Sequence, residues 1–379
     1  MKLLSLMLRH FRNHTASHFD FGCGANVLLG RNGQGKTNVL EAISFLCLTK
    51  SFYAGADQTA IQSGTGMFEV EGEFVSDVDV RHRVRIAYDE TLRQKRFSVN
   101  ASDITKFSEV IGLFPIVVLS PENNSITFGA PSERRKFVDM VMSQSSKAYL
   151  EDMMEYKRVL RQRNRILSDN QGRDVSSVLA PWTEMLVQRG ASIIHKRSQF
   201  LHEFIPYVEQ AYDSVTRNGE RPSLRYLPQI DVTPEMDTPA VAEALHLLSE
   251  RRKFDERRTG STQFGPQRDD VEFAINDLPL RDFASQGQHK TYLIALKIAE
   301  YRYLKERCVE EPMILFDDVF SELDDRRSMQ LLELLKDMGQ TFITTTTDRV
   351  FHGALEWNAA NRKVYISHGT VTREEQEGV

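Results

Sequence analysis

Cysteine is scarce: Cys23, Cys47 and Cys308 are the only three in 379 residues, and no two stand at CxxC spacing. That excludes a disulfide framework and a thiolate zinc site, and it points to a reducing cytoplasm. No stretch approaches the roughly 18 consecutive apolar residues of a membrane helix. Leu3 to Leu8 is too short for the apolar core of a secretion signal, and Arg9 and Arg12 interrupt it at once. Positive charge is not in excess either, since 48 Lys and Arg against 53 Asp and Glu leave a formal charge of −5. Wholesale electrostatic wrapping of nucleic acid is disfavoured on that balance, although a local basic patch remains compatible with phosphate contact. Fixed-period repeats, low-complexity tracts and sustained heptads are also missing, which excludes a solenoid or a long coiled coil.

What remains is an ordinary globular composition, 41% apolar and 27% charged, on a chain long enough for two or three units of roughly 150 residues. The first hundred residues read as strand-rich. Leu3 to Leu8, His18 to Phe21 and Asn26 to Leu29 are short apolar runs. Met67 to Phe74 sets Phe68, Val70, Gly72 and Phe74 against Glu69, Glu71 and Glu73, the period-2 pattern of a half-buried strand. Val80 to Tyr88 repeats it with Arg81, Arg83 and Arg85 outward, and Ile116 to Leu119 reads as a buried strand. From Ser132 to Phe254 the strand-like runs vanish and helical spacing takes over, with Met153, Tyr156, Leu160 and Leu167 as one stripe. The proline-bearing stretch Gly219 to Thr238 breaks the helices. From Gln263 the texture is mixed again: helix Thr291 to Leu304, strand Met313 to Phe316, helix Asp325 to Met338, strand Thr341 to Thr345, then a loose polar tail from Arg373. The expected architecture is an α/β domain, residues 1–121 and 261–379, split by a mainly α-helical lobe at 122–260.

Gly30-Arg31-Asn32-Gly33-Gln34-Gly35-Lys36-Thr37 matches GxxxxGK[ST] between a strand and an apolar-periodic helix. Such a loop curls backbone N–H groups around phosphate oxygens at a helix N-terminus. Lys36 is then expected on the β- and γ-phosphates of ATP, and Thr37 on Mg²⁺. Met313 to Asp318 is a buried strand ending in two carboxylates. Asp317 suits a magnesium ligand at the end of a neighbouring parallel strand, and Asp318 a group that orients or deprotonates the attacking water. Ser285-Gln286-Gly287-Gln288-His289-Lys290 leads into a helix as another anion cradle, and Ser321-Glu322-Leu323-Asp324 precedes the next helix as a capping loop.

That order resembles the ABC-type ATPase heads of the SMC class. The resemblance implies that ATP is sandwiched in a homodimer, with Ser285, Gly287 and Gln288 acting on the partner's nucleotide and Asp324 at the seam. Further phrases narrow it: Phe11-Arg12-Asn13-His14, GRNGQGKTNVLEAI, SPENNSITFGAPSERRKFVD (Ser120 to Asp139), GPQRDD (Gly265 to Asp270), SQGQHKT and DDVFSELD. Together they resemble the RecF family of bacterial recombination mediators along nearly the whole chain. The resemblance implies ATP-driven dimerisation, DNA binding at duplexes and single-strand junctions, slow hydrolysis, and work with RecO and RecR to load RecA. Three features depart from the wider ABC pattern: SQGQ replaces LSGGQ, the second acid is the shorter Asp318, and Thr346, Thr347 and Asp348 stand where a switch histidine is usual, with His352 further on. The shorter acid and the missing histidine argue for weak catalysis, consistent with a clamp or timer rather than a motor.

For DNA contact the sequence offers Lys157, Arg158, Arg161, Arg163 and Arg165, a run without an intervening acid. Arg134, Arg135 and Lys136 are an alternative set that would instead brace the nucleotide turn. Neither region interleaves aromatics, so sequence-independent backbone contact is expected rather than base stacking. A scaffold that binds ATP structurally and a transporter-type ABC ATPase are the competing readings.

Overall fold

The computed structural model describes residues 1–53, 55–216 and 219–375. The chain begins with β1 (Lys2–Phe11), β2 (His14–Asp20), β3 (Ala25–Leu29), α1 (Lys36–Leu48), β4 (Met67–Val75), β5 (Arg81–Asp89), β6 (Gln94–Val99), β7 (Ser102–Asp103) and β8 (Ile116–Leu119). It continues through α2 (Asn124–Phe128), α3 (Pro131–Ser145), α4 (Lys147–Asp169), α5 (Ser176–Thr216), β9 (Pro222–Leu227), α6 (Thr238–Thr259), β10 (Asp270–Ile275), β11 (Leu278–Pro279), α7 (Leu280–Phe283) and α8 (Gln286–Arg307). It closes with β12 (Met313–Asp317), α9 (Asp325–Leu335), β13 (Thr341–Thr345), β14 (Arg362–Ser367) and β15 (Thr370–Glu375). Two units result, Met1–Asn123 with Glu300–Val379, and Asn124–Ala299.

In the first unit, alternation builds an antiparallel sheet in the order β2-β1-β4-β5-β6-β7. Phe68, Val70 and Phe74 are buried on one face of β4. On the other, Glu69, Glu71 and Glu73 pair with Arg85, Arg83 and Arg81 of β5. The near-continuous apolar runs β3, β8 and β12 lie in a second sheet, β15-β14-β3-β13-β12-β8, in which β14, β3, β13, β12 and β8 run parallel. Runs buried on both faces are what a parallel sheet requires. Helix α1 is buried along almost its whole length. Its Phe45 meets Phe11 and Phe68 edge-on at 5.7 and 5.3 Å. The polar tail expected from Arg373 instead contributes to β15 as far as Glu375, held antiparallel to β14; residues 376–379 lie outside those described.

The second unit packs α5 against α4, α6 and β9. The proline-bearing stretch after α5 holds strand β9, which pairs antiparallel with β10. That pairing draws residues beyond 260 into the second unit, which runs on to Ala299 rather than ending where the helical texture does. Two of the phrases quoted above meet here. Arg134 grips Asp270 with two bonds at 2.9 and 2.8 Å, Arg135 donates to the Asp269 carbonyl at 2.5 Å, and Arg197 bonds Asp139 at 2.8 Å and the Pro266 carbonyl at 2.8 Å. Arg134 and Arg135 are therefore engaged by the Asp269-Asp270 segment that opens β10, and Arg134 is buried.

Candidate active site

The phosphate loop is shaped by Gly35, which caps α1 at φ 106°. A side chain there would be strained, and its Cβ would lie 2.5 Å from Asn13 Oδ1 and 2.8 Å from His14 Nε2. Both neighbours support the loop: the His14 imidazole lies 3.1 Å from the Gly35 carbonyl, and Asn13 accepts from Asn38 at 2.7 Å. Burial lowers the His14 pKa below its ordinary value. Arg12 forks onto Glu41 of α1 at 2.8 and 2.7 Å. The Phe11-to-His14 phrase thus has a local function that its sequence did not disclose. The turn after β14 closes the other side. The His368 N–H donates to Gln34 Oε1 at 2.7 Å and the Gly369 N–H to the Gln34 carbonyl at 3.0 Å. A Cβ on Gly30 would meet the Ile366 carbonyl at 2.4 Å. Arg31, Asn32 and Gly33 form the exposed crest of the loop.

Lys36 turns back over this loop, donating to the carbonyls of Gly30 at 2.7 Å and Arg31 at 3.0 Å. Burial lowers its pKa, opposed by Asp318 and Asp317, which favour the charged ammonium. Asp317 stands at the end of β12. Strand β13 lies between β12 and β3, so the carboxylate reaches the loop from one strand further than an immediate neighbour. It still reaches it: Thr37 Oγ1 donates to Asp317 Oδ1 at 2.7 Å. Thr344 of β13 donates to the same oxygen at 2.8 Å. Desolvation raises the Asp317 pKa, with the two threonine hydroxyls pulling the other way. Asp318 follows in the left-handed region at φ 51°, and its Oδ1 is buried without a hydrogen-bond partner. The Thr37 hydroxyl and the Asp317 carboxylate are hard oxygen donors side by side. They fit Mg²⁺, which uses one or two protein oxygens together with phosphates and water. Among the described residues, no cluster of three or more His, Cys, Asp or Glu could hold a metal unaided.

In the second unit the signature residues cap α8. The Ser285 N–H donates to Gln288 Oε1 at 2.9 Å, and the Gln288 N–H to Ser285 Oγ at 3.2 Å, a reciprocal cap. Gly287 lies in the first turn between them, and Gln288 also donates to Glu220 at 2.8 Å. In the first unit Asp324 caps α9 through the Arg327 N–H at 2.8 Å; the Glu322 side chain lies outside those described. At the switch position Asp348 is committed to Lys363 at 3.1 Å and His352 at 3.4 Å.

The basic run on α4 separates. Lys157, Arg158, Arg161 and Arg165 are exposed, Arg158 pairing with Glu155 and Arg165 with Asp169. Arg163 is not a surface residue. It is buried against Glu256 through bonds of 2.8 and 2.7 Å, and is removed from the candidate DNA contacts. No helix among the described residues is long and apolar enough to cross a membrane.

Residues 2–372 match the family model described as RecF/RecN/SMC N terminal domain. A relative from Chloroherpeton thalassium named DNA replication and repair protein RecF is 44% identical, over 93% of this chain and 96% of its own. One of the same name from Salinibacter ruber is 40% identical over 96% and 89%. Among solved structures, the recombination mediator protein RecF-ATP of the RecFOR pathway superposes with a TM-score of 0.90 at 29% identity, covering 98% of this chain and 97% of that one.

Proposed function

The chain belongs to the RecF family, and on that footing we propose that it is a cytoplasmic ATPase of replication and recombinational repair, whose two copies close around ATP and hold DNA. The convergence of Lys36, Thr37, Asp317 and Asp318 at one end of the parallel sheet carries this reading. Gly30 to Gly35 present backbone N–H groups to the phosphates, Lys36 neutralises the terminal ones, and Thr37 with Asp317 would hold Mg²⁺. Such an ion would supply positive charge to offset the negative charge of the phosphates. The unpaired Asp318 Oδ1 is the acceptor that orients the attacking water.

Ser285, Gly287 and Gln288, at a helix N-terminus, supply the anion contact to the partner protomer's nucleotide. A second acid one methylene short of Glu, with Asp348 tied to Lys363, supports slow, DNA-stimulated hydrolysis that times release. Lys157, Arg158, Arg161 and Arg165 are the exposed cations offered to the DNA backbone, at duplexes and single-strand junctions. RecR and RecO are the partners, with RecA loaded downstream. Sedimentation velocity with ATP and gapped DNA tests the core of the proposal: the wild type should dimerise on ATP, and Lys36→Ala should stay monomeric. ATP-induced dimers of Lys36→Ala would refute the loop's role, and absence of phosphate release from the wild type would favour a scaffold.

A further inference from the structure

Thr344 is the side chain that ties the two acids together. It is fully buried on β13. A backbone N–H can only donate, so the 2.9 Å contact with Asp318 N takes a lone pair of the Thr344 hydroxyl. Its one proton is then free for the 2.8 Å bond to Asp317 Oδ1. One hydroxyl thus reads the backbone of the second acid and the carboxylate of the first.

That backbone needs holding. Asp318 sits at φ 51°, ψ 27°, in the left-handed region that disfavours a residue carrying a Cβ. It persists only where the surroundings over-determine it. Two bonds do so here, since its N–H goes to Thr344 and its carbonyl accepts from Ser321 Oγ at 2.7 Å. Released, Asp318 would relax toward an ordinary strand or helix geometry, and its carboxylate would swing away from the position in which Oδ1 is now buried and unpaired. Asp317 would keep the Thr37 bond but lose the second hydroxyl that fixes its plane.

We propose that Thr344 is a positioning residue for ATP hydrolysis, aligning Asp317 for the metal through its proton and Asp318 for the water through its lone pair. The inference rests on the nucleotide reading above. Strand β13, between the loop strand β3 and β12, thus holds both acids through one hydroxyl.

The test compares Thr344→Val, which keeps the shape and loses the hydroxyl, with Thr344→Ser, which restores it. Thr341→Val, on the same strand but bonded to the Gly339 carbonyl, controls for loss of any buried hydroxyl. Two readouts are needed: kcat and KM for ATP, and the Mg²⁺ concentration that half-saturates binding of a fluorescent ATP analogue. Thr344→Val should lower kcat by about 10–100-fold and raise the Mg²⁺ requirement by at least about tenfold, the usual scale for groups that orient metal ligands. KM at saturating Mg²⁺ should stay within about threefold, because the phosphate loop is untouched. Thr344→Ser should recover both. Unchanged kcat and Mg²⁺ requirement in Thr344→Val would overturn the inference, as would an equal loss in Thr341→Val. A wild type that binds ATP without hydrolysing it would sink the hydrolysis reading alone, and a raised Mg²⁺ requirement in Thr344→Val would then still support the positioning role.

Discussion

Replacing Arg163 by Met separates a folding role from a DNA-binding role in the second unit. Arg163 forks onto Glu256 at 2.8 and 2.7 Å and adds bonds to Thr262 at 2.9 Å and Thr183 at 3.2 Å. The two ionic side chains are only 3% and 2% exposed, and the guanidinium lies 5.1 Å from the centre of the Phe264 ring. Met fills a similar volume but leaves the Glu256 carboxylate buried without its cation, an arrangement that costs about 3–5 kcal/mol. With a urea slope of about 2 kcal/mol/M, the unfolding midpoint should fall by about 1.5–2.5 M. The chain has two tryptophans, Trp182 in the second unit and Trp357 in the first. In a Trp357→Phe background, Trp182 fluorescence therefore follows the unit that holds the pair. Adding Glu256→Met should recover most of the loss, because an apolar pair of similar volume is tolerated where a lone charge is not. Arg158→Ala, which breaks an exposed pair with Glu155, should leave the midpoint essentially unmoved. An Arg163→Met midpoint within about 0.3 M of the parent, together with weakened DNA binding, would refute the assignment of Arg163 to the interior.

Asp318→Asn should leave ATP affinity intact and slow phosphate release by about 10²–10⁴-fold, the scale of a lost general base; normal turnover would remove Asp318 from that role. In Gly369→Ala the new Cβ falls 2.2 Å from the Asn13 carbonyl at φ +71°, so calorimetry should show weaker ATP binding as the hairpin is pushed off Gln34. The Asp317 carboxyl has its pKa raised by burial. The native state therefore holds that proton more tightly than the unfolded chain, and the associated stability is lost as pH rises through the raised value. Asp317→Asn should thus raise the ligand-free melting temperature above the parent's by a margin that grows with pH across that window. A margin independent of pH would show that the raised pKa does not govern stability there.

Much of the site was legible because its chemistry is local. Eight consecutive residues define the phosphate loop, and Asp317-Asp318 announces itself at the end of an apolar strand. The misjudged residues depend on partners far along the chain. Arg163 falls on the buried stripe with Tyr156 and Leu167, at helical spacing, and that spacing was the available signal; what makes burial tolerable is Glu256, 93 residues away. Arg134 shows the same dependence on a distant partner, Asp270, a pairing that does not by itself assign its role. Strand β9 was hidden among prolines because Pro222 opens it and the pairing that stabilises it lies in β10. Thr344 carried no comparable signal, since a threonine in a buried strand reads as β-propensity rather than as a hydroxyl shared by two acids.

The order of strands in the parallel sheet also sets a timetable for biosynthesis. Strand β8 ends at Leu119, and its partner β12 begins at Met313. At about 5–20 residues per second, the ribosome delivers that partner some 10–40 s later. Throughout this interval the apolar edges of β3 and β8 have no mate, while the intervening segment can already condense on its own contacts. A nascent chain of this design invites chaperone occupancy at two short early sequences, and mutations that slow translation between β8 and β12 should lower soluble yield without altering the finished protein.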